Sequence, residues 1–350
     1  MDSKTQPYPI KYYKEVNAKA VEWLWYPYIA YGKITIIQGD PGEGKSTVAI
    51  NLAAAISNGE PMPLESEKIE PQVVVYQNSE DGKEDTIVPR LIACGANLDK
   101  VSYIDEDEAT VELGDERLEK VIVETGARVL ILDPIQAYWG ANTDMNRAGA
   151  IRPIMNHLAH IAERRHCAII MVGHMNKANG KGLYRGLGSI DIAAAARSVL
   201  LVAKLSSQPN MRVLSHVKSN LAPLGDSILF SVDNNSVVSW IRRSKITAEQ
   251  VLDESYDDEY SKTDHAILII KKNMESGECS ANQILQQCEM NGISKRTVNA
   301  AKVRLNIASV KRKDGWYWVL DEENQSDDAE SRRYAWLKTR AVTKFGKHTK

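Results

Sequence analysis

From residue 33 to about residue 233 the chain alternates short, continuously apolar runs with longer amphipathic stretches. The apolar runs fall at 33–38 (KITIIQ), 72–77 (QVVVYQ), 129–133 (VLILD), 167–173 (CAIIMVG), 198–202 (SVLLV) and 211–218 (MRVLSHVK). A strand open to water on one side alternates apolar with polar residues, so runs this continuous predict strands covered on both faces. The stretches between them, 46–57 and 151–165 among them, predict helices. Strand and helix in repetition make βα units, and the fold class expected is α/β, a mostly parallel sheet flanked by helices.

The pattern changes after residue 245. Residues 249–260 hold six acidic side chains and no basic one, as a linker or solvated helix end does. Between 263 and 320 the chain predicts a helix at 264–275, a helix entered at Ser280, a turn with Gly292 and a helix entered at Ser294. Two β runs, ASVKRK and WYWVL, follow and are joined by the hairpin signal Asp314-Gly315. Three helices and a two-stranded ribbon predict a small α+β winged helix-turn-helix domain. Trp316 and Trp318 alternate along the second run and are read as core residues. The expected organisation is an N-terminal arm (1–32), an α/β domain (33–245), an acidic linker (246–262), a winged helix (263–320) and an acidic, then basic, tail (321–350).

Composition narrows the classes. The chain has 350 residues, 46 acidic against 44 basic, for a formal net charge of −2. That length supports a core without disulfide or metal staples. Near-neutrality argues against a chain that holds nucleic acid by overall basicity, yet residues 262–314 carry ten basic and five acidic side chains, a local footprint suited to a phosphate backbone. Cys94, Cys167, Cys279 and Cys288 form no CxxC pair and predict reduced, mostly buried thiols. No secretory signal and no apolar run of ~20 residues is visible, so a cytoplasmic chain without membrane contact is expected.

The densest chemistry follows the first strand. Gly39, Asp40, Pro41, Gly42, Glu43, Gly44, Lys45, Ser46 and Thr47 make a full match to the phosphate-loop pattern G-x-x-x-x-G-K-[ST]. Glycines let backbone N–H groups converge on a β-phosphate, and the positive end of the next helix adds attraction. Lys45 is then placed for the β/γ-phosphates and the Ser46 hydroxyl for Mg²⁺, so ATP and Mg²⁺ are the expected cofactors. Asp133 ends the run VLILD, where a carboxylate can complete the metal shell from a neighbouring strand, or cap a helix. Glu80, with Asp81 beside it, follows the run QVVVYQ and suits either water activation or capping. His174 ends another run, where it is either a sensor of the γ-phosphate or a structural histidine.

These elements, in this order, resemble the RecA-like ATPases, most closely the hexameric replicative helicases related to plasmid RepA and DnaB. The resemblance rests on WLWYPYIAYGKITIIQGDPGEGKST, YQNSED with RLIACGANLDKV, VLILDPIQAY, VGHMNK and YRGLGSIDIAAAARSVLLV, and spans about residues 23–231. It implies that Glu80 is the catalytic glutamate, Asp133 the Walker B aspartate and His174 the γ-phosphate sensor. It also implies a homo-oligomer, a hexamer, whose neighbouring subunit supplies an arginine. Arg197 matches that finger in the RepA branch and Arg185 is the other candidate. The DnaB branch carries a Lys-x-Arg pair where this chain has Lys218 and Asn220. Arg197 is equally suited to a structural ion pair.

The ring analogy further implies DNA-facing loops at 141–147 and 177–189, the second with Lys177, Lys181 and Arg185. In the winged helix, Lys295, Arg296, Lys302 and Arg304 of the recognition helix and Lys311, Arg312 and Lys313 of the wing are the expected DNA contacts. The function expected is an ATP-dependent DNA helicase or translocase. A loader or recombination accessory that does not unwind, and a DNA-binding regulator switched by ATP, are the alternatives.

Overall fold

The structure is a computed structural model and describes residues 12–140, 148–175, 190–205, 208–253, 262–274 and 278–320. Outside these lie the loops at 141–147 and 177–189 with Lys177, Lys181 and Arg185, most of the acidic stretch of the linker, and the tail from 321.

In chain order the main elements are β1 (Trp23–Trp25), β2 (Ile29–Ala30), β3 (Ile34–Gly39), α1 (Lys45–Asn58), β4 (Val74–Asn78), α2 (Val88–Ala93), β5 (Val101–Ser102), α3 (Glu116–Thr125) and β6 (Val129–Asp133). There follow α4 (Ala148–Arg165), β7 (Ala168–His174), α5 (Ile190–Ala195), β8 (Ser198–Leu205), β9 (Gln208–Ser219), β10 (Ser227–Val232) and β11 (Val238–Ser244). The last are α6 (Ala248–Leu252), α7 (Lys262–Asn273), β12 (Cys279–Ser280), α8 (Ala281–Met290), α9 (Lys295–Arg304), β13 (Ile307–Arg312) and β14 (Gly315–Leu320).

Among the described residues a nine-stranded sheet runs β11-β10-β9-β8-β3-β7-β6-β4-β5. From β8 to β5 all pairings are parallel, and β9, β10 and β11 extend the sheet antiparallel. The fold class is the α/β one expected. One expectation is corrected: β6, which carries Asp133, does not neighbour β3, because β7 lies between them. The two strands are joined through long crossovers, and a crossover does not fix which later strand inserts beside it.

Each central strand sends alternate residues to opposite faces. Ile37, Val74, Tyr76, Val129 and Ile131 pack with α1 on one side. Ile34, Ile36, Val75, Leu130 and Leu132 pack with α3 and α4 on the other. The span expected as an N-terminal arm joins this core from Trp23 onward. Trp25, Tyr28 and Ile29 are fully buried, and the Tyr28 hydroxyl donates to Asp226 O at 2.7 Å.

The second core continues through Ile241, Ala248 and Val251 into the C-terminal unit, where Ile267, Ile270, Cys288, Val298 and Trp318 are buried. Part of the expected linker is therefore helix: Thr247 caps α6 in a reciprocal capping box with Gln250. The unit has the three expected helices, but its ribbon is three-stranded, in the order β12-β14-β13. Cys279 and Ser280 pair with Trp318 and Tyr317 just before α8 begins. Trp316 is also corrected. It is 53% exposed, whereas Trp318 is 3% exposed.

Candidate active site

The phosphate loop turns through Gly42 (φ +78) and Gly44 (φ +96), both left-handed, into the N-terminus of α1. Only glycine enters that region without a Cβ penalty. Gly39 is needed for space, since a Cβ there would sit 2.2 Å from Val202 O of β8. The Lys45 ammonium is buried at the mouth of the loop and donates to Asp40 O at 2.8 Å. Burial pulls its pKa down, and the carboxylates of Asp133, Glu43 and Asp40 oppose that shift.

Asp133 reaches Ser46 across the intervening strand. Its Oδ1 accepts from Ser46 Oγ at 3.1 Å and its Oδ2 from Tyr76 OH at 2.6 Å. The carboxyl is 1% exposed, and burial pushes its pKa up against the pull of both hydroxyls and of Lys45. A buried carboxylate in contact with a serine hydroxyl at a phosphate loop fits Mg²⁺, which takes few protein oxygens and completes its shell with phosphate and water. Consistently, the described residues hold no cluster of three or more His, Cys, Asp or Glu able to bind a metal alone. Bound there, Mg²⁺ supplies charge neutralisation to phosphate oxygens, and Ser46 and Asp133 are the groups that hold it.

Glu80 is fixed by a turn that motif reading passes over. Asn78, at the end of β4, accepts the N–H groups of Glu80 (3.1 Å) and Asp81 (2.8 Å) on its side-chain oxygen. Asp81 is taken by Arg90 at 3.0 Å, so its carboxylate serves the turn and does not support Glu80. The Glu80 carboxylate stands 4.0 Å from His174 Nε2, at the tip of β7. Burial and the Lys45 charge pull the His174 pKa down, which keeps the ring neutral at neutral pH. Gln136 donates to His174 O at 3.1 Å and ties that strand tip to the turn after Asp133. Insertion of β7 between β3 and β6 thus brings Lys45, Ser46, Glu80, Asp133 and His174 to one edge of the sheet. A neutral imidazole, a half-exposed carboxylate and a buried ammonium together can bind a triphosphate and polarise a water beside its terminal group.

Two cations flank the loop from its other side. Lys204 and Arg212 pair across β8 and β9. The Arg212 guanidinium donates to Glu43 O at 3.1 Å, and the Glu43 carboxylate accepts the Lys204 backbone N–H. Sequence reading misses both, because their place depends on the antiparallel return of β9.

Arg197 sits elsewhere. It precedes β8, and its N–H donates to Ile34 O at 2.9 Å at the start of β3. At ~3.3 Å per residue, the five steps from Ile34 to Gly39 put about 16 Å between it and its own phosphate loop. The side chain is exposed and forms no ion pair among the described residues. With Lys33, Arg152, Asn156 and Glu163 it lines a cavity of about 360 Å³. Lys218 donates to the carbonyls of Ala193 (2.7 Å), Ala194 (3.2 Å) and Ala196 (2.9 Å), closing the C-terminal end of α5 directly before Arg197.

In the C-terminal unit several expected DNA contacts are engaged within the chain. Arg304 pairs with Asp264 (3.5 Å), Arg312 pairs with Glu278 (2.7 Å), and Lys302 donates to Ser309 Oγ (2.5 Å) above the Trp318 ring. Lys295, Arg296, Lys311 and Lys313 are exposed.

A search by sequence finds no match among curated proteins. Among solved structures the ATPase domain of a DnaB-like helicase aligns with 61% of this chain and 85% of its own, at 14% identity and a TM-score of 0.48. A family profile described as an AAA domain matches residues 6–180, which include the phosphate loop, Glu80, Asp133 and His174. The chain belongs to that AAA-domain family, and the site at the edge of its sheet is that of a P-loop ATPase.

Proposed function

We propose that the chain is a Mg²⁺-dependent ATPase that assembles into a ring, a hexamer, and moves along or unwinds DNA, as helicases of the RepA type do. The observation that carries this reading is the position of Arg197, exposed and about 16 Å along the sheet from the phosphate loop of its own chain. An arginine so placed serves a phosphoryl group only at a neighbouring copy. The cavity it lines with Arg152 and Lys33 is a cationic face for that neighbour. Within one site Lys45 and Ser46 bind phosphate and metal, Asp133 completes the metal shell, Glu80 activates water, and His174 responds to the γ-phosphate. DNA occupies the ring channel, and the C-terminal unit, read as a winged helix, meets it through Lys295, Arg296, Lys311 and Lys313.

Mass photometry with and without ATP and single-stranded DNA tests the assembly, for which a nucleotide-dependent ring is the expected result. A monomer under every condition overturns it. Turnover that rises with single-stranded DNA, together with separation of a forked duplex, is expected of the unwinding form. Turnover without strand separation points to the loader or recombination accessory.

A further inference from the structure

We infer that Trp316 is a stacking platform for an unpaired base of single-stranded DNA, framed by Lys311 and Lys313 at the tip of the C-terminal ribbon. The inference rests on the proposed action on DNA and narrows what the C-terminal unit grips. Lys311 and Trp316 are direct partners across β13 and β14, as are Ser309 and Trp318. Partners in an antiparallel ladder point to one face, and alternate residues of a strand share it. Trp316 therefore continues the face on which Trp318 enters the core, yet it stands beyond the helices, 53% exposed against 3%.

Burial of an indole is worth more to a fold than most side chains, and leaving half of it in water forgoes that gain. The surrounding charge favours an anionic partner. Asp314 is bound by the Tyr317 hydroxyl at 2.7 Å and Glu278 by Arg312 at 2.7 Å, so the carboxylates near the tip are engaged. Lys311 and Lys313 are exposed and form no ion pair among the described residues. A flat aromatic surface with a lysine on either side matches a nucleotide, its base on the ring and its phosphates on the ammonium groups. Bases within a duplex hide their faces, which selects an unpaired strand or a duplex end.

The test uses the full chain. A short thymidine oligonucleotide should quench part of the tryptophan fluorescence, and Trp316→Phe should remove most of that quenching. Trp316→Ala should bind the oligonucleotide at least about fivefold more weakly while binding a blunt duplex as before, with unchanged circular dichroism. Lys311→Ala with Lys313→Ala should weaken both ligands and flatten the salt dependence. Equal affinity for the oligonucleotide in Trp316→Ala, or equal quenching in Trp316→Phe, overturns the inference and leaves the proposed function standing. A change of oligomeric mass in Trp316→Ala without DNA also overturns it, by making Trp316 a contact between copies. If the unaltered chain binds no DNA at all, the proposed function falls first and this inference with it.

Discussion

The backbone N–H of Asn220 donates to the carbonyl oxygen of Arg197 over 3.0 Å. Two positions far apart in sequence, one matching the finger of the RepA branch and one that of the DnaB branch, thus occupy the same corner of the sheet. The arginine lost at 220 is present next door at 197, and Lys218 braces the turn that carries it.

A trans role makes a mixing experiment decisive. Arg197→Ala should lower turnover about a thousandfold or more, as loss of an arginine finger does, with nucleotide binding retained. Lys45→Ala should lose binding. Mixed in equal amounts, the two should recover turnover above either alone, because some interfaces pair an intact loop with an intact arginine. Turnover that stays at the level of the separate variants would place Arg197 outside the reaction.

Glu80→Gln keeps the turn set by Asn78 and removes the base. ATP turnover should fall by about 10²–10⁴-fold while binding of a fluorescent nucleotide is kept. A matching loss of affinity would show that the carboxylate binds and does not activate water.

Arg212 should act on affinity. In Arg212→Ala the flank of the phosphate loop opens at Glu43, and KM for ATP should rise several-fold with kcat little changed. Steady-state kinetics read this directly, and a fall in kcat alone would contradict it.

Acid should destabilise the fold through His216. This ring is buried. Its Nδ1 accepts the Gly225 N–H at 2.9 Å, so Nε2 carries the proton toward Ser198 Oγ at 3.1 Å. Burial pulls its pKa down to about 4 from an ordinary 6.5. Above pH ~6.5 both folded and unfolded chains hold it neutral. Between there and about pH 4 the unfolded chain takes the proton first, and stability falls by up to ~3 kcal/mol. Urea midpoints across that range should drop in the native chain and flatten in His216→Gln.

Asp264 is a further structural test. It is fully buried and accepts from Arg242 of β11 at 2.9 Å while facing Arg304 of α9 at 3.5 Å, which joins the sheet to both ends of the C-terminal unit. Asp264→Ala leaves that guanidinium unpaired and should cost ~3–5 kcal/mol, seen as a lower melting temperature.

Local pattern foretells the parallel strands to within one or two residues at most ends, and a contiguous motif foretells the phosphate loop. Strand order is not legible, because insertion of β7 between β3 and β6 is decided by packing between distant segments. Strands β10 and β11 mix polar with apolar residues and so fall outside a pattern of continuous apolar runs. Charge along the chain marks the C-terminal unit as basic but does not tell that Arg304, Arg312 and Lys302 have partners within the chain. Alternation assigns Trp316 to the core, since period alone does not tell where a core ends.

β11 is the outermost strand on its side of the sheet, and Lys271 of α7 reaches over to donate to the carbonyl of Trp240 on it. An uncovered strand of that kind offers its backbone to any other chain with a free edge. The C-terminal unit is thus also a guard against sticking. A chain cut after residue 245 keeps every phosphate-binding residue, and it should nevertheless precipitate or pair through its sheets during expression.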